Sequence, residues 1–167
     1  DGIYYATMES SYPGYNQIKY TLYKNDSMLY TVNLTLNGLS KPDGVVIDGK
    51  SLVMSSTGDV AFVYGNIPTN ELGLFLVHIS GETGKVTYLN PSVKGQVLAR
   101  SPKIKFTDDG GILLSVTYGV IEKLIQNFTG VLVEKYSPTM ELLQHAELPF
   151  SSETISKCSA AETGKID

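Results

Sequence analysis

The chain of 167 residues contains one cysteine, no tryptophan and two histidines. A lone Cys158 excludes an internal disulfide and any cysteine-based metal cluster. Charge is sparse too, with 18% of residues charged and a net charge of −4. That balance gives neither nucleic acid nor an anionic membrane an electrostatic reason to bind, so neither is expected as a partner. No apolar run approaches the roughly 18 residues that a membrane-spanning helix needs. There is no G-x-S-x-G elbow and no phosphate-cradling loop, since Gly84-Lys85 and Gly164-Lys165 have turn-like surroundings. The chain opens at Asp1 with no Met and no signal-like segment, which reads as a processed product or a fragment.

What is present belongs to a strand-and-turn protein. Hydrophobic residues make up 42% of the chain, with eleven Tyr and sixteen Gly. Residues 1–167 are long enough to bury a core as one domain. Short runs of Val, Ile, Leu, Tyr and Thr alternate with Gly, Asp, Asn, Pro and Ser, the signature of strands and tight turns. The best helical stretch, Val120–Ile125, is too short to change an all-β assignment.

Two segments superpose without gaps at an offset of 52 residues, 51–64 on 103–116. Leu52 falls on Ile104, Met54 on Phe106, Gly58 on Gly110, Val60 on Ile112 and Phe62 on Leu114. Apolar positions step by two on each side of the glycine, as in a hairpin, and glycine suits a turn needing φ > 0. Downstream, 74–80 matches 131–137, and a turn and a last strand follow in both. Each unit thus offers four short strands, with repeats at roughly 1–50, 51–102 and 103–153. Four antiparallel strands per repeat of this length is the signature of a β-propeller blade. The first unit lacks its opening strand: Asp1–Thr7 matches the strand after the turn. Thr154–Ser159 reads as the opening strand of a further unit (154–167). The expected fold is therefore all-β, a β-propeller or partial propeller of about three four-stranded blades cut in circularly offset register.

These units resemble the seven-bladed β-propeller repeats of the SBBP type. Asp109–Gly119 is similar to the Gly-rich turn and first strand of that repeat, and Gly130–Ser137 to the strand that follows its variable loop. The middle unit carries the same elements, with Ile79–Gly84 at the turn, while the first keeps only Tyr23–Asp26 and its spacing. The late Trp of such units is missing, His78 stands near a preferred Lys, and the loop from Tyr118 to Asn127 is long and apolar. The resemblance implies a fold and not an activity.

No residue set reads as catalytic, cofactor-binding or metal-ligating, and no cofactor is expected. His78 and His145 have no motif around them. Thr107–Gly111 lacks the alternating acidic ligands of a calcium loop and reads as a hairpin turn. Cys158 falls on the apolar positions of Met54 and Phe106, as a buried free cysteine would. The candidate interaction residues are Tyr12 and Tyr15, in a Tyr/Ser/Gly/Asn loop suited to binding, and Ile121, Leu124 and Ile125 in the apolar loop. Three sequons mark Asn25, Asn33 and Asn127 as candidate glycosylation sites, against about one or two expected by chance for so loose a pattern.

The expected function is a non-enzymatic structural or protein-interaction module, extracellular or at the cell surface. Three blades cannot close a ring, so the expected partner is a second copy or the remainder of a longer propeller chain. One alternative is part of a propeller enzyme or ligand-binding protein whose axial site is shared with further blades. In that case Glu9, Asp59, Arg100 and Asp108 should converge on one channel mouth. Another is a filament or capsid subunit that assembles through β edges.

Overall fold

In the computed structural model the described residues are 2–10, 17–35, 52–65, 73–122 and 125–151. They form eleven strands and, among them, no helix. The first sheet has strands β1 (Tyr4–Ser10), β2 (Gln17–Lys24) and β3 (Ser27–Thr35). The middle sheet has β4 (Leu52–Met54), β5 (Val60–Gly65), β6 (Leu74–Ile79) and β7 (Val86–Leu89). The third has β8 (Leu98–Phe106), β9 (Ile112–Glu122), β10 (Ile125–Tyr136) and β11 (Leu142–Pro149). Each sheet is an antiparallel meander in chain order.

The turns explain why the 52-residue offset holds. Ser55 N–H donates to the Asp59 carbonyl at 2.8 Å and Gly58 N–H to Ser55 at 3.2 Å. One repeat later, Thr107 N–H donates to Gly111 and Gly110 N–H to Thr107, both at 2.9 Å. Gly58 and Gly110 sit at φ of 87° and 81°, the left-handed position that closes a tight turn with a bulge. The β10–β11 turn repeats the pattern, with Met140 at φ 67° in the glycine's place. The β2–β3 hairpin instead uses two positive-φ residues, Asn25 and Asp26, the two-residue turn that matches strand twist.

Alternation along the strands gives the middle sheet two buried faces. Val60, Phe62, Tyr64, Val77 and Ile79 pack with Ile18, Tyr20, Leu22 and Leu34 of the first sheet. Ala61, Val63, Leu74 and Leu76 on the opposite face pack with Ile112, Leu114, Val116, Leu132 and Tyr136 of the third. Period two sorts these residues to opposite sides, and a one-residue slip would exchange the faces. Full burial of a side chain such as Phe62 contributes about 1.5–3 kcal/mol. The three sheets therefore stack in series, and the positions that β5 presents to the third sheet correspond to positions of β9 that face away from the middle one.

Two expectations are corrected. The described residues of Val120–Ile125 are not helical: Val120, Ile121, Glu122 and Ile125 belong to β9 and β10 and pair across the two strands. The described residues of the Tyr118–Asn127 region, 118–122 and 125–127, are likewise strand rather than loop, because the β9–β10 ladder continues through Ile125↔Glu122. The expected strand at Thr154–Ser159 lies outside the described residues.

Candidate functional site

The hairpin extension places Ile121 and Ile125 in solvent, 38% and 63% exposed. It lies beyond the part of β9 that packs on the middle sheet. Arg100 reaches it through a 3.1 Å bond to Gln126. Leu124, Tyr12 and Tyr15 lie outside the described residues. All three sequon asparagines are exposed. Asn25 is engaged at the β2–β3 turn, where its Oδ1 accepts the Ile3 N–H at 2.9 Å. Asn33 stands on the outer face of the first sheet, opposite Lys19. It lines an open groove of about 530 Å³ with Glu9, Gln17, Lys19 and Thr35.

Glu9, Asp59, Arg100 and Asp108 do not share one mouth. Asp59 and Asp108 lie in the equivalent turns before β5 and β9. Arg100 pairs with Thr117 at the far end of the β8–β9 ladder. Tyr4 packs against Gly58, which puts the start of β1 beside the Asp59 turn and Glu9 at the opposite end of that strand.

The densest polar cluster joins β10 and β11. Glu134, 3% exposed, stands opposite His145 in the ladder. It accepts a hydrogen bond from the Tyr136 hydroxyl and lies 2.9 Å from His145 Nδ1. His145 Nε2 lies 3.1 Å from Glu147. The imidazole thus bridges two carboxylates, and the hydrogen bond to Glu134, followed by that to Glu147, raises its pKa above the ordinary value. Burial first, then Glu134, pushes the Tyr136 phenol up, so it stays a donor. Tyr118 joins the cluster from β9, its pKa raised by burial and then by Glu147. Its ring lies across Gly130, where any Cβ would strike the Tyr118 hydroxyl and the Leu148 carbonyl. The carboxylates occupy opposite sides of the ring, and among the described residues no group of three is arranged to hold a metal ion.

A second cluster closes the β4–β5 turn. Burial disfavours the Asp59 carboxylate, but bonds from Thr57, the Gly81 N–H and Ser55 outweigh it and leave its pKa lowered. His78 approaches at 3.7 Å. Burial depresses the His78 pKa more than Asp59 raises it, so near neutral pH this contact joins a carboxylate to a neutral imidazole and is no ion pair. In the third sheet Lys135 holds the position corresponding to His78 and meets Asp109 at 3.3 Å. Bonds from the Thr107 hydroxyl, the Gly111 N–H and Lys135 lower Asp109 to about 2.

Sequence reasoning noted both histidines and found neither cluster. The partners of His145 lie on two strands, and only the cross-strand register brings Glu134 to it. No protein-family model matches the chain, and no curated protein matches it. Among the described residues no helix is long and apolar enough to cross a membrane.

Proposed function

We propose that this chain is a non-enzymatic structural and protein-interaction module, a set of β-propeller blades of the kind its repeats resemble, acting outside the cell or at its surface. The observation that carries the reading is the serial stacking of the sheets. The face of the middle sheet that seats the third sheet has the rows Ala61–His78–Thr87 and Val63–Leu76–Leu89. The outer face of the third sheet repeats them as Leu113–Lys135–Gln144 and Ser115–Val133–Ala146, and adds Thr117–Val131–Leu148. A face built like one that seats a neighbour, with Leu148 54% exposed, fits a further sheet supplied by a second copy or by more of a propeller chain. The projecting β9–β10 hairpin, with Ile121 and Ile125 in solvent, is the surface suited to a protein partner. Exposure of Asn25, Asn33 and Asn127 supports the extracellular placement, since a glycan needs a solvent-facing acceptor.

The deciding experiment is the mass of one purified sample, native and denatured. A denatured mass of 18.2 kDa with twice that value natively fits two chains completing one set of sheets. A second, unlike chain in the native species identifies the remainder of a propeller. A native monomer at micromolar concentration that unfolds cooperatively refutes the need for further sheets. Secretion from eukaryotic cells followed by enzymatic N-glycan removal tests the placement: no mobility shift argues against it.

A further inference from the structure

We propose that the outer face of the third sheet binds a sheet that is apolar at its centre and acidic along the strand lying over β8, and that a second copy of this chain is not that partner. The proposal rests on the reading that this face seats a further sheet, and it decides which of the two suppliers fits.

Each outward row of the third sheet begins on β8 with a cation. Lys105 stands opposite Leu113, Lys103 opposite Ser115 and Arg100 opposite Thr117. A bulge makes this possible: with Ser101 at φ 50°, Arg100 and Lys103 oppose residues two apart although they are three apart themselves. The three therefore stand in one line on one face, roughly 7 Å from one to the next. Lys103 and Lys105 are exposed, and among the described residues neither has an ion-pair partner. Arg100 bonds the neutral amide of Gln126 at 3.1 Å. The face of the middle sheet that seats the third has Val53 opposite Ala61 where this one has Lys105 opposite Leu113. Val53 packs into the core between those two sheets. The seat is thus repeated with its inner strand switched from apolar to cationic, while Leu113, Val131 and Val133 keep an apolar centre. In a chain of net charge −4 this is a local reversal of sign.

A partner covering β8 takes these charges out of water, and burying a charge is costly unless an opposite charge meets it. Carboxylates over β8 therefore select the partner, and their lack rejects others. The outward faces of this chain do not supply them. A two-fold axis across the strands lays β8 over β8 of a second copy, and one along the strands lays it over β11. Neither strand presents a carboxylate there: the residues are Arg100, Lys103 and Lys105 on β8, and Gln144, Ala146 and Leu148 on β11. The outward rows of the first sheet, Thr7–Thr21–Thr31 and Glu9–Lys19–Asn33, are polar, and Glu9 already has Lys19 at 3.9 Å.

The chain itself can be turned into the partner. Lys103→Glu/Lys105→Glu keeps the apolar centre and reverses the charge over β8, at two exposed positions. Mixed one to one with wild type at low salt, this variant should form a heterodimer in sedimentation-velocity runs, while each protein alone associates at least about tenfold more weakly. Raising sodium chloride from about 0.05 M to about 0.5 M should weaken the heterodimer roughly tenfold, because screening then acts within a few ångströms. Leu148→Ser in the wild-type member, at a 54% exposed position of the same face, should weaken it further. Wild type that dimerises alone, with the dimer lost on Leu148→Ser, overturns the proposal and leaves the stacked-sheet reading standing. A mixture that associates no more tightly than wild type alone also overturns it, and is the result expected of lysines that only discourage pairing along an outer strand. The stacked-sheet reading then turns on the native species: an unlike chain there keeps it, and a cooperatively folding monomer removes it.

Discussion

Replacing His145 with alanine should destabilise the protein by about 2 kcal/mol, and the effect should fade as pH rises. Glu134 is 3% exposed, and loss of the imidazole leaves its carboxylate with the Tyr136 hydroxyl alone among the side chains of the cluster. Orphaning one bond of a buried acceptor costs about 1–3 kcal/mol. The second arm, to Glu147, is solvent-facing and adds about 0–1 kcal/mol. The cost of roughly 3–5 kcal/mol for breaking a fully buried ion pair does not apply, because the His145 side chain is 37% exposed and water can reach the gap. A loss of about 2 kcal/mol lowers Tm by roughly 4–8 °C in a chain of this size.

The sign of the pH dependence follows from the raised His145 pKa. The charged imidazole is favoured in the folded state, so its contribution is complete below the unfolded value of about 6.5 and is lost as pH rises through the higher folded value. The Tm gap between wild type and His145→Ala should be widest near pH 6 and should narrow by pH 9, as followed by circular-dichroism melts. Adding Glu134→Gln to His145→Ala should recover part of the loss, because it removes the stranded charge. A gap under 1 °C at pH 6, or one that grows with pH, would falsify this account.

His78 should behave in the opposite way. Burial lowers its pKa, so the unfolded chain binds the extra proton and stability falls as pH drops below about 6.5; His78→Gln should flatten that acid limb in denaturant titrations. Tyr20 is fully buried, and its hydroxyl has no hydrogen-bond partner among the described residues. Tyr20→Phe should therefore leave stability unchanged or raise it by about 1 kcal/mol, and a clear fall in Tm would reveal a partner. Met140 sets two effects against each other. Glycine would relieve its positive φ by roughly 1–2 kcal/mol, but Met140 is buried in the core between the middle and third sheets, and truncating such a side chain costs about 2–5 kcal/mol. Urea melts of Met140→Gly should show net destabilisation. Gly81→Ala should cost about 1–3 kcal/mol, since its Cβ would strike the backbone of Thr57, Gly58 and Asp59.

What the sequence reveals and what it conceals divide at the reach of a turn. The alternation on either side of Gly58 and Gly110 is a local pattern, so the hairpins β4–β5 and β8–β9 are legible, and so is the number of sheets. The Val120–Ile125 stretch misleads because a short apolar run carries no period of its own; the strand character of Val120, Ile121, Glu122 and Ile125 comes from pairing between β9 and β10. The polar clusters lie further out. Glu134 and His145 are 11 residues apart and Asp59 and the Gly81 N–H are 22 apart, and whether such pairs meet depends on the turn and on any bulge between their strands. The β10–β11 turn closes Ser137 on Glu141, whereas the β6–β7 turn closes Ser80 on Lys85, one residue longer. A bulge between Lys135 and Tyr136 makes up that residue, so Glu134↔His145 keeps the spacing of Val77↔Tyr88; a regular ladder from Tyr136↔Leu142 would instead set Gln144 opposite Glu134 and turn His145 to the other face of β11. The cluster is thus specified by the turn and the bulge beside Tyr136 together, and a one-residue insertion in the Ser137–Glu141 turn that lets the ladder run without the bulge should abolish the pH dependence predicted for His145 even with every cluster residue intact.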